Sequence, residues 1–305
     1  MTVVRLCELA GVSRSGFYSY LKTLNTHDIR EDNDKRDFQL IVSAYKYKGR
    51  NKGVRQIKMT LARVFNVIMN HKKISRLMKK YGLICPIRRA NPYRRMAKAL
   101  KTNNYAENIL QRNFKREKPG EVILSDITYI FYGNGKVAYL STAKDPLTKQ
   151  IPAYKLSESL QLPFVLDTVH MLKQNESYVL QPNAIFHTDQ GCHYTSNEFR
   201  KLLASEGFVQ SMSRRGNCWD NAPQESFFGH MKDELNLAGI KNFEELSEEI
   251  DKYLSYYNND RYQWELAMMS PNEYAEYLIS NQLPYNDNTR AAIMQTQVFK
   301  SMLSK

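Results

Sequence analysis

The fold is decided by residues 122–142, which read VILSDITYIFYGNGKVAYLST. The first eleven of them are rich in β-branched and aromatic side chains, which favour a β-strand. The triplet Gly133-Asn134-Gly135 is a strong turn signal, so residues 136–142 are expected to return as an antiparallel second strand. Asp126 departs from this pattern, because aspartate is depleted from strands and a buried, unpaired carboxylate is costly.

The pattern continues outward from this hairpin as alternating strands and helices. Strands are predicted at 150–155, 184–187 and 208–212, and helices at 159–173, 196–205, 221–237 and 243–257. Three strands in a meander, followed by strands that alternate with helices, indicate an α/β fold. We therefore expect a mixed five-stranded sheet with flanking helices.

Three carboxylates stand out against this background. Asp126 lies within the first strand, Asp189 directly follows the strand that ends near His187, and Glu225 lies in the first turn of a helix. Ligands collect beyond strand ends in open α/β sheets. Each acid alone also has a structural explanation. A strand carboxylate can bond a neighbouring hydroxyl or cation, an aspartate can cap a turn, and a first-turn glutamate favours the helix dipole.

Taken together, the three acids predict a metal site. Hard oxygen ligands suit Mg²⁺ or Mn²⁺, and two such ions about 3.5–4 Å apart support in-line displacement at phosphorus. Lys232 follows Glu225 by two helical turns, so it shares the same face and can hold a phosphate. A zinc site is not expected, because the cysteines at 7, 85, 192 and 218 form no Cys-x-x-Cys pair.

The charge is divided unevenly along the 305 residues. The net formal charge is +13, but residues 1–120 carry +20 and residues 121–305 carry −7. No acidic residue occurs between Phe38 and Ala106, a stretch with 18 basic side chains. Such a run predicts a polyanionic partner, and nucleic acid fits best. The alternative is a basic surface that only aids solubility.

The N-terminal part is expected to be helical and to bind DNA. Residues 1–25 fit a helix-turn-helix with Gly11 in the turn and Ser13 as the cap of the second helix, which exposes Arg14 at its start. A plain helical hairpin is the alternative. Residues 25–37 suit a linker, and residues 38–101 suit a second, basic helical DNA-binding domain. This domain ends in an extended arm whose basic residues are Arg88, Arg89, Arg94 and Arg95.

The longest apolar runs are far shorter than the roughly 20 residues that a membrane helix needs. The N-terminal residues show no charged segment followed by an apolar core, so no signal peptide is expected. These features favour a protein of the cytoplasm with no membrane partner.

Several segments together resemble a known family, the transposases of bacterial insertion-sequence family three, whose catalytic half is similar to retroviral integrases. The resemblance covers roughly residues 1–275. It is carried by SDITYI at 125–130, HTDQG at 187–191, SMSRRGNCWDNA at 211–222, ESFF at 225–228, and the segment from Tyr257-Asn258 through Arg261 to Ser270-Pro271. The segment from 211 to 228 is highly specific. The family often has a histidine at the position of Gln263 and a glycine at that of Ala267.

The resemblance implies a ribonuclease H-like core over residues 119–280 and a catalytic triad of Asp126, Asp189 and Glu225 that holds two Mg²⁺ ions. Lys232 matches a basic residue that touches DNA near the acid. Arg214 and Arg215 would contact phosphate from a loop beside the site.

The family further implies DNA cleavage and strand transfer at terminal inverted repeats, as a homo-oligomer on DNA. The chain would be a downstream reading-frame product, fused to or paired with an upstream one. A catalytically inactive DNA-binding repressor and a simple nuclease are the alternatives.

Overall fold

The computed structural model describes residues 2–85, 106–114, 116–214 and 218–286. Four helices form the N-terminal part of the described chain, namely α1 (Val3–Leu9), α2 (Arg14–Lys46), α3 (Val54–Val64) and α4 (His71–Lys80). The chain turns between α1 and α2 at Gly11, whose φ of 65° favours glycine. The Ser13 hydroxyl caps α2 by accepting a hydrogen bond from the Gly16 N–H at 3.0 Å. The expected helix, turn and second helix are therefore present, while DNA contact by them stays a prediction.

Residues 25–37 are not a linker, because they lie inside α2, which is continuous over 33 residues. Three acids of this segment, Glu31, Asp34 and Asp37, pair with basic side chains of α4. Arg76 donates to both carboxylate oxygens of Asp34, at 2.7 and 2.8 Å. Lys80 bonds Asp34 at 2.8 Å and Glu31 at 2.5 Å. This polar segment therefore forms a helix–helix contact. A polar sequence alone cannot distinguish such a contact from a solvated connector.

The acid-free stretch also finds carboxylates that lie later in the chain. Arg50 pairs with Glu249, and Arg63 pairs with Glu273. Part of the positive charge is thus neutralised within the protein. The expectation that the whole run requires a polyanionic partner was too strong, because carboxylates distant in sequence are close in space.

The apolar side chains of the basic region form the core of the N-terminal helices. Six side chains from α2, α3 and α4 are fully buried there, namely Ile41, Ala44, Ile57, Leu61, Ile74 and Leu77. Gly82 ends α4 with a φ of 70°, as the sequence indicates. These helices therefore pack against one another through apolar side chains.

A five-stranded mixed sheet forms the second part of the chain. Its strands are β1 (Val122–Tyr132), β2 (Lys136–Lys144), β3 (Ala153–Ser157), β4 (Ile185–Thr188) and β5 (Val209–Met212). The spatial order is β3-β2-β1-β4-β5. The first three strands are antiparallel neighbours, and β4 and β5 add in parallel to β1. This topology confirms the expected ribonuclease H-like sheet.

Helices cover both faces of the sheet. Helices α5 (Pro163–Gln174) and α6 (Asn197–Ser205) pack on one face, against Ile123 of β1. Helices α7 (Ala222–Glu234) and α8 (Phe243–Asn259) pack on the other, against Ile130 and Tyr132. Because strand side chains alternate between faces, Asp126 shares the face of Ile130, towards α7.

The last described helix, α9 (Pro271–Ser280), has no counterpart in the expected elements. Its start is a capping box, in which Ser270 and Glu273 bond each other's backbone N–H groups. No helix within the described ranges is both long and apolar enough to cross a bilayer.

Candidate active site

Asp126 lies in the central strand β1, between the antiparallel β2 and the parallel β4. Its register partner on β2 is Thr142. The Ile127 N–H donates a hydrogen bond of 2.8 Å to Asp126 Oδ1, which orients the carboxylate. The acid that interrupts the strand pattern is therefore held at a defined position in the middle of the sheet.

Asp189 comes directly after β4, which runs parallel to β1. The Gly191 N–H donates to Asp189 Oδ1 at 2.9 Å. A Cβ atom at Gly191 would lie 3.0 Å from the same oxygen, closer than most real Cβ contacts. Glycine thus lets the turn fold back on the carboxylate, which fixes Asp189 at the end of the neighbouring strand.

Glu225 lies in the first turn of α7, and two buried contacts attach this turn to β2. The Gln224 side-chain amide donates to the Thr142 Oγ1 at 2.5 Å and to the Thr142 carbonyl at 3.3 Å. The Lys144 ammonium donates to the Pro223 carbonyl at 2.7 Å. Thr142 and Lys144 of β2 therefore position the helix that carries Glu225.

The three acids influence one another electrostatically. Burial raises the pKa of Asp126 to about 8, with further increases from the charges of Asp189 and Glu225. Lys232 acts in the opposite direction. Burial also raises the pKa of Asp189, while the Gly191 N–H lowers it. Negative charge from three separate elements thus gathers in one region, with Lys232 close enough to offset part of it.

The donor set fits hard divalent cations, which prefer carboxylate oxygens. The charges of Asp189 and Glu225 raise the pKa of Asp126, and a bound cation would offset this accumulation of negative charge. Within the described residues, no three His, Cys, Asp or Glu side chains are yet grouped closely enough to hold an ion. The residue types of the three acids suit a hard cation, although their side chains as placed in the described part of the chain do not form a complete ion site.

The loop before α7 is anchored by Asp220, which is fully buried. Arg214 donates to this carboxylate from its backbone N–H at 2.9 Å, and from Nε and Nη2 at 3.1 and 3.0 Å. Arg112 adds a bond of 2.5 Å and Asn108 one of 3.1 Å. The Arg214 guanidinium, first among these groups, holds the pKa of Asp220 well below its usual range. Asp220 thus joins residues 108–112 to the segment that leads to Glu225.

His187 is a structural residue beneath the site. The Ser211 hydroxyl accepts hydrogen bonds from the Ile109 and Leu110 N–H groups, at 3.0 and 3.2 Å, so its own hydrogen goes to His187 Nδ1 at 2.9 Å. Burial lowers the pKa of His187 to about 4, so the ring is neutral with its proton on Nε2. The side chain is fully buried, which leaves it supporting β4 and β5 rather than facing a ligand.

Two of the remaining residues predicted to contact DNA, Arg14 and Arg214, lie in the part of the chain that the structure describes. Arg14 is exposed at the start of α2. Arg214 keeps 59% of its side chain exposed although it is bonded to Asp220, so a phosphate contact by this residue stays a prediction. The other residues named for DNA binding lie outside the described part of the chain, namely Arg88, Arg89, Arg94, Arg95 and Arg215.

Sequence reasoning missed the residues that hold Glu225 in place. Gln224 and Asp220 lie in or next to the specific segment 211–228, so its unusual composition was a signal. Lys144 gave a weaker one, as a lysine that ends an otherwise apolar and hydroxylic strand. Their roles depend on contacts across more than 75 positions of sequence, which local patterns do not contain.

Comparison with known protein families defines the class. The family described as "Integrase core domain" matches residues 116–218, and a second family with the same description matches residues 225–277. The family described as "HTH-like domain" matches residues 31–91. The protein therefore combines an HTH-like domain with an integrase-type core.

Individual relatives narrow the class to a family. The magnesium complex of the HTLV-2 integrase catalytic core is 20% identical, with a TM-score of 0.40, and covers 52% of this chain and 97% of its own. A protein of insertion sequence element IS150 from Escherichia coli (strain K12) is 34% identical over 274 residues, 88% of this chain and 92% of the relative. The transposase for element IS904 of Lactococcus lactis is 33% identical over 76% of this chain and 90% of the relative. On these two sequence relatives, the chain belongs to the DDE-type transposases of insertion-sequence family three.

Proposed function

We propose that the protein cuts and joins DNA at the terminal inverted repeats of an insertion sequence, with Asp126, Asp189 and Glu225 as its catalytic carboxylates. The observation that carries this proposal is their electrostatic convergence. Acids from β1, from the end of β4 and from α7 raise the pKa of Asp126 together with its burial. Acids clustered in this way need a proton or a cation to offset their charge, and divalent cations are what a polynucleotidyl transferase of this type would bind.

The same carboxylates would hold two Mg²⁺ or Mn²⁺ ions. When bound, the ions supply activation of the attacking oxygen and stabilisation of the leaving oxygen. The chain's own contribution is to hold and orient the ligands. The Ile127 and Gly191 N–H groups fix one oxygen each of Asp126 and Asp189, and Thr142 and Lys144 hold the first turn of α7.

The reaction has two displacements at phosphorus. Water attacks a phosphodiester at the element's end, the new P–O bond forms as the P–O3′ bond breaks, and a 3′-hydroxyl is released. That hydroxyl then attacks a phosphodiester of target DNA, with loss of its proton and departure of a second 3′-oxygen. No covalent protein–DNA bond forms at any stage. Lys232, on the face of α7 that carries Glu225, would contact a backbone phosphate near the reacting group.

The partners follow from this reaction. Terminal repeats would be bound by the N-terminal helices through Arg14 and by the basic residues around 88–95, with Arg214 and Arg215 on phosphate near the site. Joining two element ends calls for at least two copies of the chain on DNA. Pairing with an upstream reading-frame product is a further expectation, and a bacterial cytoplasm is the compartment where such DNA is found. No observation favours the inactive repressor.

The test uses labelled duplexes that carry the element's ends, incubated with the purified chain and Mg²⁺, with and without the upstream segment fused. We expect a strand shortened to a 3′-hydroxyl and a joined product, both lost in EDTA. Asp126→Asn, Asp189→Asn and Glu225→Gln should bind the duplex and yield neither product. Strand joining by Glu225→Gln would refute the assignment. Labelled DNA that stays attached to denatured protein would instead indicate a tyrosine or serine recombinase.

A further inference from the structure

The HTH-like domain is docked on the catalytic core through an interface in which charged groups are buried. We define the docking interface as residues 45–63, at the end of α2 and in α3, against α8 and residues 260–285. Along it, Lys48 pairs with Asp260 at 3.2 Å and the Gln56 side chain donates to the Tyr262 carbonyl at 3.1 Å. The basic N-terminal half thus meets the acidic C-terminal half at specific partners.

Arg50 is a buried ion at the centre of this interface. Its side chain is 8% exposed and bonds Glu249 of α8, which is itself 16% exposed. The guanidinium also lies over the rings of Tyr253 and Tyr256, at 5.4 and 5.8 Å from their centres. The same Glu249 oxygen accepts from the Asn236 N–H at 3.0 Å, just beyond the end of α7. Arg50 therefore contacts the core at the junction of α7 and α8.

Helix α3 adds an apolar and a second ionic contact. Met59 and Ala62 are buried against a cluster that includes Leu266 and Met269. At the end of the helix, the Arg63 side chain, 7% exposed, bonds both Glu273 of α9 and the Pro284 carbonyl. One face of α3 is thus committed to the core and is closed to DNA.

The interface continues without interruption to the catalytic helix. Tyr257 of α8 packs edge-on against Phe227 of α7, with ring centres 4.8 Å apart. Arg261, which follows α8, bonds Glu234 of α7 at 2.7 Å, and both side chains are at least 93% buried. Phe227 lies two residues after Glu225. Packed contacts therefore link the docking interface to the helix that carries Glu225.

We propose that the docking interface sets a fixed spacing between the DNA sequence bound by the HTH-like domain and the phosphodiester that is cut. The inference rests on the proposed function above. Buried ion pairs contribute little net stability, but removing one partner is costly and their geometry is specific. They are suited to holding two domains in one relative orientation, whereas a purely apolar contact would allow the domains to slide past each other.

The test reverses the central pair. Arg50→Glu, Glu249→Arg and the double exchange are compared with the wild type, with Arg50→Met as a milder variant that keeps apolar contact with the tyrosine rings. Lys252→Ala is the matched control, because its pair with Glu248 lies on α8 but is exposed at both ends. Each protein is assayed for affinity to a labelled element end, for its hydroxyl-radical footprint without metal, and for the nucleotide at which it cuts with Mg²⁺.

We expect the single variants to bind the element end with nearly unchanged affinity and to keep the footprint of the HTH-like domain. The protection that the catalytic core gives at a fixed distance from that footprint should be lost. The rate of cleavage should fall by about tenfold or more, and the cleavage sites should spread over neighbouring phosphates. The double exchange should restore both. An unchanged footprint and cut position in Arg50→Glu and Arg50→Met would overturn the inference. If the wild type itself does not cut, the proposed function fails, and the footprints alone decide this inference.

Discussion

The side chain of Gln224 donates to the hydroxyl and carbonyl oxygens of Thr142, which lies directly opposite Asp126 in the β1–β2 register. Glu225 is the next residue after Gln224. A path of one hydrogen-bonded side chain and one strand pair therefore connects two of the three acids. This path explains how α7, which begins at Ala222, 96 positions after Asp126, can place Glu225 near the central strand.

Replacing Gln224 by Leu should disconnect Glu225 from the sheet. We expect strand cleavage to fall by about 10–100-fold, because small displacements of a catalytic group are costly, while the affinity for element ends is retained. The stability loss should be about 1–2 kcal/mol, as expected for a buried hydrogen bond. Gln181→Leu is the control, since that amide bonds the Pro119 carbonyl at 3.1 Å in a turn away from the acids. Equal activity losses in both variants would contradict a positioning role.

Replacing Lys144 by Met should make the protein more stable but less active. Lys144 is 4% exposed, and burial, followed by Lys149 and Arg261, lowers its pKa to about 7, against opposing effects of Glu265 and Asp145. The Lys144 side chain therefore binds its proton more tightly in the unfolded state than in the folded state. The energetic cost of the buried ammonium is full at or below about pH 7 and disappears as pH rises towards the unfolded value near 10.

The gain in unfolding free energy for Lys144→Met should accordingly be largest at or below about pH 7, on the order of 1–3 kcal/mol, and should shrink towards pH 10. Denaturant titrations at three pH values measure it. Cleavage at pH 7 should nevertheless fall, because the bond to the Pro223 carbonyl is lost. A variant that gains stability equally at every pH would exclude the ammonium as the cause.

Asp220→Asn should loosen the loop that precedes α7. The substitution removes the charge that Arg214 and Arg112 share, although both arginines remain partly exposed to water. We expect a stability loss of about 1–3 kcal/mol and a clear decrease in cleavage. Asp32→Asn removes an exposed partner of Lys35 and serves as the control. Thermal melts and single-turnover cleavage distinguish the two, and indistinguishable results would argue against an anchoring role for Asp220.

Much of the fold could be predicted because local signals and tertiary contacts agree. Strand β1 begins and ends where its apolar run does, and Gly133 follows it directly. The acid-rich part of α2 could not be recognised, since its meaning depends on Arg76, 42 positions after Asp34. Helix α9 was missed although Ser270 and Glu273 have capping-box spacing and Pro271 stands at its first position.

The candidate site divides in the same way. Residue type, strand-end position and the family resemblance nominated the three acids, whose catalytic role stays a prediction. The groups that position them were not, because Lys144 and Asp220 act through partners that only the folded chain brings together. The ion pairs of Arg50 and Arg63 likewise changed how the basic N-terminal half is interpreted, from a uniform DNA surface to one that also faces the core.

Mg²⁺ should stabilise the wild type and should have little effect on Asp126→Asn. Without metal, burial and the charges of Asp189 and Glu225 raise the pKa of Asp126 to about 8, so the folded chain must take up a proton at neutral pH, and neutral asparagine should raise the melting temperature by removing that cost. Adding Mg²⁺ should raise the melting temperature of the wild type, because an ion that binds only the folded state stabilises it by mass action. Scanning calorimetry with and without millimolar Mg²⁺ measures both effects. Asp167→Asn is the control, since that carboxylate pairs with Lys155 on the opposite face of the sheet and is 49% exposed. If Mg²⁺ shifted the wild type and Asp126→Asn equally, the ion would be binding elsewhere.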